Sequence, residues 1–99
     1  MISIGMSTSC VYPLPTESAF RLARDAGFDG IEVMVTNDPV TQDAAALRYL
    51  SKTYGLPILS IHAPVLLLTQ LVWGTNPVRK LERSAELAAT LGASTVVVH

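Results

Sequence analysis

Apolar and polar positions alternate in short blocks along this chain, and each block stands at a fixed distance from a glycine. Three helical stretches run into Gly27, Gly55 and Gly92. Each glycine leads into a run rich in β-branched residues: Ile31-Glu32-Val33-Met34-Val35, Ile58-Leu59-Ser60-Ile61-His62, and Val96-Val97-Val98-His99. A glycine just past a helix takes the left-handed cap conformation that other residues resist. Counted from these glycines, the fourth and sixth residues are Ile31 and Val33, Leu59 and Ile61, Val96 and Val98, all aliphatic. The fifth and seventh are Glu32 and Met34, Ser60 and His62, Val97 and His99. Strand side chains alternate between faces. The pattern therefore predicts strands with one aliphatic face and one face carrying most of the polar groups. An opening strand over residues 2–7 shows the same split, with Ile2, Ile4 and Met6 set against Ser3, Gly5 and Ser7.

Between the strands the pattern predicts three helices. The first covers residues 17–26, capped by Thr16, with Ala19, Leu22, Ala23 and Ala26 inward. The second covers residues 42–54, capped by Thr41, with Ala45, Leu47 or Ala46, and Leu50 inward. The third covers residues 77–91, opened by Asn76 and Pro77, with Val78, Leu81, Ala85, Ala88 and Leu91 inward. Strands alternating with helices mean parallel strands and an α/β fold. A doubly wound sheet has helices on both faces, so its central strands read apolar throughout. A barrel has helices only outside, and its interior turns polar near the mouth. The regular split favours a parallel (β/α) half-barrel, the first four strands of a TIM (β/α)8 barrel. A complete barrel needs eight strands and about 250 residues. Residues 1–99 therefore read as one unit, the N-terminal half of such a barrel within a longer chain. The alternative is a small open α/β domain.

Composition narrows the function classes. Apolar residues make up 49% and charged residues 15%, against about 25% charged in ordinary soluble domains. Disorder and a coiled coil are excluded. The net charge of −1 offers no excess of cations to neutralise a nucleic-acid backbone. One cysteine, Cys10, excludes an intramolecular disulfide and a paired-cysteine zinc site, and it suits a reducing, cytoplasmic compartment. The most apolar window, residues 56–73, is broken by Pro57, His62, Pro64 and Gln70. It reads as a buried strand and a greasy loop rather than a membrane span. That loop, residues 64–76, would wall a site or pack on a partner.

Candidate chemistry gathers at the strand ends. His62 and His99 stand seven residues after their glycines, at the C-terminal ends of successive strands, where α/β barrels build their sites. Two imidazoles there can share a metal ion or a substrate. Glu32 lies on the same face, two residues nearer the strand start, as a general base, a partner of an imidazole, or half of a structural ion pair. Ser7, followed by Thr8 and Ser9, ends the first strand and can hydrogen-bond a hydroxylated ligand. No phosphate-binding glycine loop, nucleophile elbow or Ser-His-Asp pattern is present.

The runs Ala26-Gly27-Phe28-Asp29-Gly30-Ile31-Glu32, Ser60-Ile61-His62-Ala63-Pro64 and Leu91-Gly92-Ala93 leading to Val96-Val97-Val98-His99 resemble the xylose-isomerase-like TIM barrels. That group includes sugar phosphate isomerases and epimerases, inosose dehydratases and endonuclease IV. The resemblance spans the whole chain but only the family's first four strands. It implies a metal-dependent isomerase or epimerase acting on a sugar or sugar phosphate. Glu32 would be catalytic and His62 and His99 substrate-binding; Ser7 joins them as substrate-binding on the strength of its hydroxyl at the first strand's mouth, not of the resemblance. A divalent metal (Mn, Zn, Mg or Co) would be held mainly by later strands. In an endonuclease IV-like reading, a zinc phosphodiesterase, His62 and His99 would themselves be zinc ligands. A third reading is a non-catalytic half-barrel. Open sheet edges then predict self-association and little activity in these 99 residues alone.

Overall fold

The computed structural model describes residues 2–64, 69 and 71–98. The chain is an α/β half-barrel: four parallel strands in the order β1-β2-β3-β4, with three helices on one face. The elements are β1 (Gly5–Ser7), α1 (Thr16–Ala26), β2 (Gly30–Met34), α2 (Ala44–Tyr54), β3 (Ile58–His62), α3 (Pro77–Leu91) and β4 (Thr95–Val97). Short 3-10 turns follow β1 at Thr8–Val11 and precede α2 at Pro39–Gln42. Among the described residues no helix is long and apolar enough to cross a membrane.

One aliphatic face meets the helices, as the glycine count predicts. Met6, Ile31, Val33, Ile58 and Ile61 form a single buried cluster with Ala19, Phe20 and Ala23 of α1, Leu47 and Leu50 of α2, and Leu87 and Ala88 of α3. The helices are stopped as expected, with Gly27, Gly55 and Gly92 all left-handed at φ 81°, 65° and 74°.

Four details differ from the sequence pattern. First, β1 is short, and Ile2 and Ile4 are exposed. Ile4 is held to the next strand through Asp29 instead. Its N–H donates to Asp29 Oδ2 at 2.8 Å, and the Asp29 N–H donates to its carbonyl at 2.8 Å. Second, the helices are turned about their axes. α1 buries Thr16, Ala19, Phe20 and Ala23, leaving Leu22 and Ala26 outside. α3 buries Lys80, Ser84, Leu87 and Ala88, and leaves Val78, Leu81 and Ala85 outside. In α2, Leu47 and Leu50 point inward and Ala45 does not. Third, the caps of α1 and α2 shift. Asp43, not Thr41, accepts from the first amides of α2, and Thr16 is the first helical residue of α1. Asn76 caps α3 as predicted, accepting from the Val78 and Arg79 N–H groups, with Pro77 at the first position. Asn76→Ala should cost about 1 kcal/mol, read as a lower urea midpoint with an unchanged slope.

Fourth, β3 contains a bulge. Ile31 pairs with Ile58, but Glu32 pairs with Ser60, so Leu59 is the extra residue. The extra residue puts Ile58, three after its glycine, on the aliphatic face beside Ile31, while Ser60, Ile61 and His62 keep the faces the count assigns. Leu59 therefore leaves the aliphatic face assigned to it and lies across Gly5 and Gly30 on the opposite face. Further along, His62 pairs with Met34 on one side and Val97 on the other. Equal distances from the glycines thus hold between β2 and β3, while β4 is staggered by two residues. A two-residue stagger keeps each side chain on its face, and stagger of this kind is what curls a sheet toward a barrel. Residues 65–68, residue 70 and His99 lie outside the described residues, so the apolar middle of the walling loop and the placement of His99 fall there; the end of the loop packs on the core, with Val72 buried in the cluster and Arg83 over the Trp73 ring.

Candidate active site

The polar sheet face presents Glu32 and Ser60 side by side on β2 and β3. The Ser60 hydroxyl donates to Glu32 Oε1 at 2.7 Å, and both residues are half-buried. Leu59, lying over Gly5 and Gly30, forms the apolar floor on the strand-start side. A half-buried carboxylate held by one hydroxyl keeps acceptor sites for a ligand on the mouth side.

His62 stands one step nearer the mouth, 5% exposed. Its Nδ1 lies 3.0 Å from the Ala63 carbonyl. A carbonyl oxygen only accepts, so Nδ1 donates to it. The turn after it is pinned from α3. Buried Lys80 donates from Nζ to the Pro64 carbonyl at 2.9 Å, and the Ser84 hydroxyl donates to the Lys80 carbonyl at 2.7 Å. This explains why α3 turns a lysine and a serine inward where the sequence suggests aliphatic residues. Ser7 has a local role: its Oγ accepts from the Ser9 N–H at 3.1 Å and bonds Ser9 Oγ at 2.8 Å.

Beside these residues, the segments after β1 and β2 enclose a cleft of about 410 Å³. Thr8, Ser9 and Tyr12 line it from one side and Thr36, Asn37 and Asp38 from the other. The two walls are tied by the Met34 N–H, which donates to Thr8 Oγ1 at 2.9 Å. The cleft was not legible in the sequence beyond Thr8 and Ser9, because its walls lie more than twenty residues apart.

Asp38 organises this region. It accepts from the Thr16 hydroxyl at 2.7 Å, the Thr16 N–H at 3.1 Å and the Val40 N–H at 3.1 Å. Burial pushes its carboxyl up, but the bonds from Thr16 and Val40 outweigh it and hold Asp38 below the usual carboxylate range. A depressed folded value means the stabilisation is present above the unfolded value, about pH 4, and is lost as pH falls through the folded value. Asp38→Asn should therefore cost about 1–2 kcal/mol at neutral pH. It should also flatten the acid limb of a stability-against-pH curve measured by urea melts.

Among the described residues no group of three or more His, Cys, Asp or Glu side chains could hold a metal ion. Glu32 and His62 supply two donors at most, fewer than the three or four a zinc-type site uses. The described residues therefore do not by themselves fit a metal centre.

A family model described as xylose isomerase-like TIM barrel matches residues 20–99. Uncharacterised proteins of Mycobacterium leprae and Mycobacterium tuberculosis are each 54% identical to the chain. The match covers 100% and 99% of this chain and 35% of each relative. The chain thus spans about a third of the length of the curated relatives it matches. Among solved structures, 3-keto-D-glucoside 4-epimerase from E. coli superposes with a TM-score of 0.70 at 22% identity, over 99% of this chain and 38% of that one. An AP endonuclease, family 2, from Brucella melitensis superposes with a TM-score of 0.66 at 20% identity, over 96% of this chain and 40% of that one. The matched model covers most of the chain, and the sheet has the strand order and one-sided helix layer of a barrel's opening strands; the chain belongs to the xylose isomerase-like TIM barrel family.

Proposed function

We propose that this chain is the N-terminal part of a sugar or sugar phosphate isomerase or epimerase, with Glu32 as its proton-transfer base. The Glu32–Ser60 pair carries the reading: a hydroxyl-oriented carboxylate on the polar sheet face, one step inside the mouth. A base in that position removes a proton from the carbon next to a carbonyl, leaving an enediolate. Return of the proton to the opposite face of that carbon gives an epimer, and return to the neighbouring carbon gives an isomer. Ser60 keeps the carboxylate aimed through the exchange. His62, at the mouth end of β3, is assigned the binding of a substrate hydroxyl, and His99 and Ser7 the same class of role. A cytoplasmic setting suits the single cysteine.

The test uses the full-length protein that contains this segment. Incubation with keto sugars in heavy water should place deuterium at the carbon beside the carbonyl, followed by proton nuclear magnetic resonance. No exchange with any keto sugar or keto sugar phosphate would remove the reading.

A further inference from the structure

The geometry points to a neutral, hydroxyl-rich end of a sugar, rather than a phosphorylated end, as the occupant of the cleft between the segments after β1 and β2. The inference rests on the isomerase or epimerase reading and narrows its substrate class.

The start of α1 opens on this cleft. A helix N-terminus has unpaired N–H groups and a partial positive charge, and it ordinarily welcomes phosphate. Here that position already holds an anion of the chain's own. Asp38 Oδ2 takes both the Thr16 N–H and the Thr16 hydroxyl, and Oδ1 takes the Val40 N–H. The Thr16 N–H is taken by this carboxylate and the Ser18 N–H by the Pro15 carbonyl at 2.9 Å, and the carboxylate stands at the helix start where phosphate oxygens would go. The hydrogen bonds that hold Asp38 below the usual carboxylate range keep it charged at neutral pH.

The rest of the wall suits an uncharged polyol. Thr41 is fully buried and turned to the backbone, donating to the Asp38 carbonyl at 2.7 Å. Asn37 and Tyr12 are exposed at the rim. An amide pairs with vicinal hydroxyls through one donor and one acceptor, and an aromatic ring offers an apolar face for the C–H side of a sugar. Like charge meeting Asp38 would repel a phosphate dianion at the same place.

The experiment compares D-fructose with D-fructose 6-phosphate on the full-length protein. Binding is followed by the nuclear magnetic resonance signals of Tyr12 and Asn37. The ester is expected to bind about five-fold or more weakly than the free sugar. Asp38→Ser, which vacates the helix start, should raise affinity for the ester about ten-fold relative to that for free fructose. Asn37→Lys keeps Asp38 and the fold of the turn, and should raise ester affinity in the same direction. Tighter binding of the ester by the unaltered protein, or no gain in either variant, overturns the inference. So does a failure of both probes to move the Tyr12 and Asn37 signals. Deuterium exchange beside the carbonyl is read separately, so loss of this inference is distinguishable from loss of the isomerase or epimerase reading.

Discussion

Gly30→Ala should destabilise the fold by about 3 kcal/mol, at the upper end for overpacking a dense interior. A Cβ at Gly30 would stand 2.6 Å from Leu59 Cγ, 2.7 Å from Leu59 Cδ1 and 2.7 Å from the Pro57 carbonyl oxygen. Leu59 can swing away, but the Pro57 carbonyl cannot, since it accepts from the Ile31 N–H at 2.9 Å and anchors the β2–β3 ladder. Gly5 differs in kind. Its added Cβ meets the tip of Leu59 at 3.0 Å, and the nearest backbone atom stands at 3.4 Å. Gly5→Ala should therefore cost about 1 kcal/mol. Truncating Leu59 to alanine should recover most of the Gly5→Ala loss and only a part of the Gly30→Ala loss. Urea melts of the single and double variants check this. A Gly30→Ala chain as stable as its parent would disprove the account of the bulge and the glycine floor.

Glu32→Gln should lower turnover of the full-length protein by about 10²–10⁴-fold, the range for losing a positioned general base. Glutamine keeps the size of the side chain and an oxygen for the Ser60 hydroxyl, so the fold should be undisturbed. Ser60→Ala removes the 2.7 Å bond that orients the carboxylate. It leaves the base in place, so its effect should be about ten-fold. Steady-state rates and deuterium exchange should fall together in Glu32→Gln. If Glu32→Gln keeps full exchange, the proton is moved by another group.

Much of the fold was legible because it repeats. The glycine stops, the strand runs and the order of elements arise from backbone preferences that act within ten residues. The facing of the helices was not legible for a physical reason. α1 and α3 carry small apolar residues on several sides, so Leu22, Val78 and Leu81 make as good a stripe on paper as Phe20 and Leu87. The choice between them is made by distant groups: Thr16 is drawn in by Asp38, and Lys80 is drawn in by the carbonyl of Pro64. The Leu59 bulge escaped for the same reason. One added residue breaks a count, and only its neighbour strand shows where it sits. Of the site, Glu32 and His62 come to the expected sheet face and end, while Ser60 emerges as the partner that holds Glu32. The cleft at Tyr12 and Asn37 depends on two loops meeting, and neither loop announces the other.

Strand order has a consequence for how the chain acquires its shape. Each strand pairs with the one made just before it, so no segment waits for a distant partner. Contacts of short sequence separation speed folding, and this arrangement lets assembly run in the direction of synthesis. Once β2 is docked on β1, the Asp29 clamp on Ile4 closes a loop of only twenty-five residues. β3 then adds to a preformed edge, and its Leu59 lies over glycines already in place. Slowing translation across residues 30–60 should leave the yield of folded protein unchanged, whereas permuting β1 to follow β4 should slow refolding by removing the edge on which the rest is built.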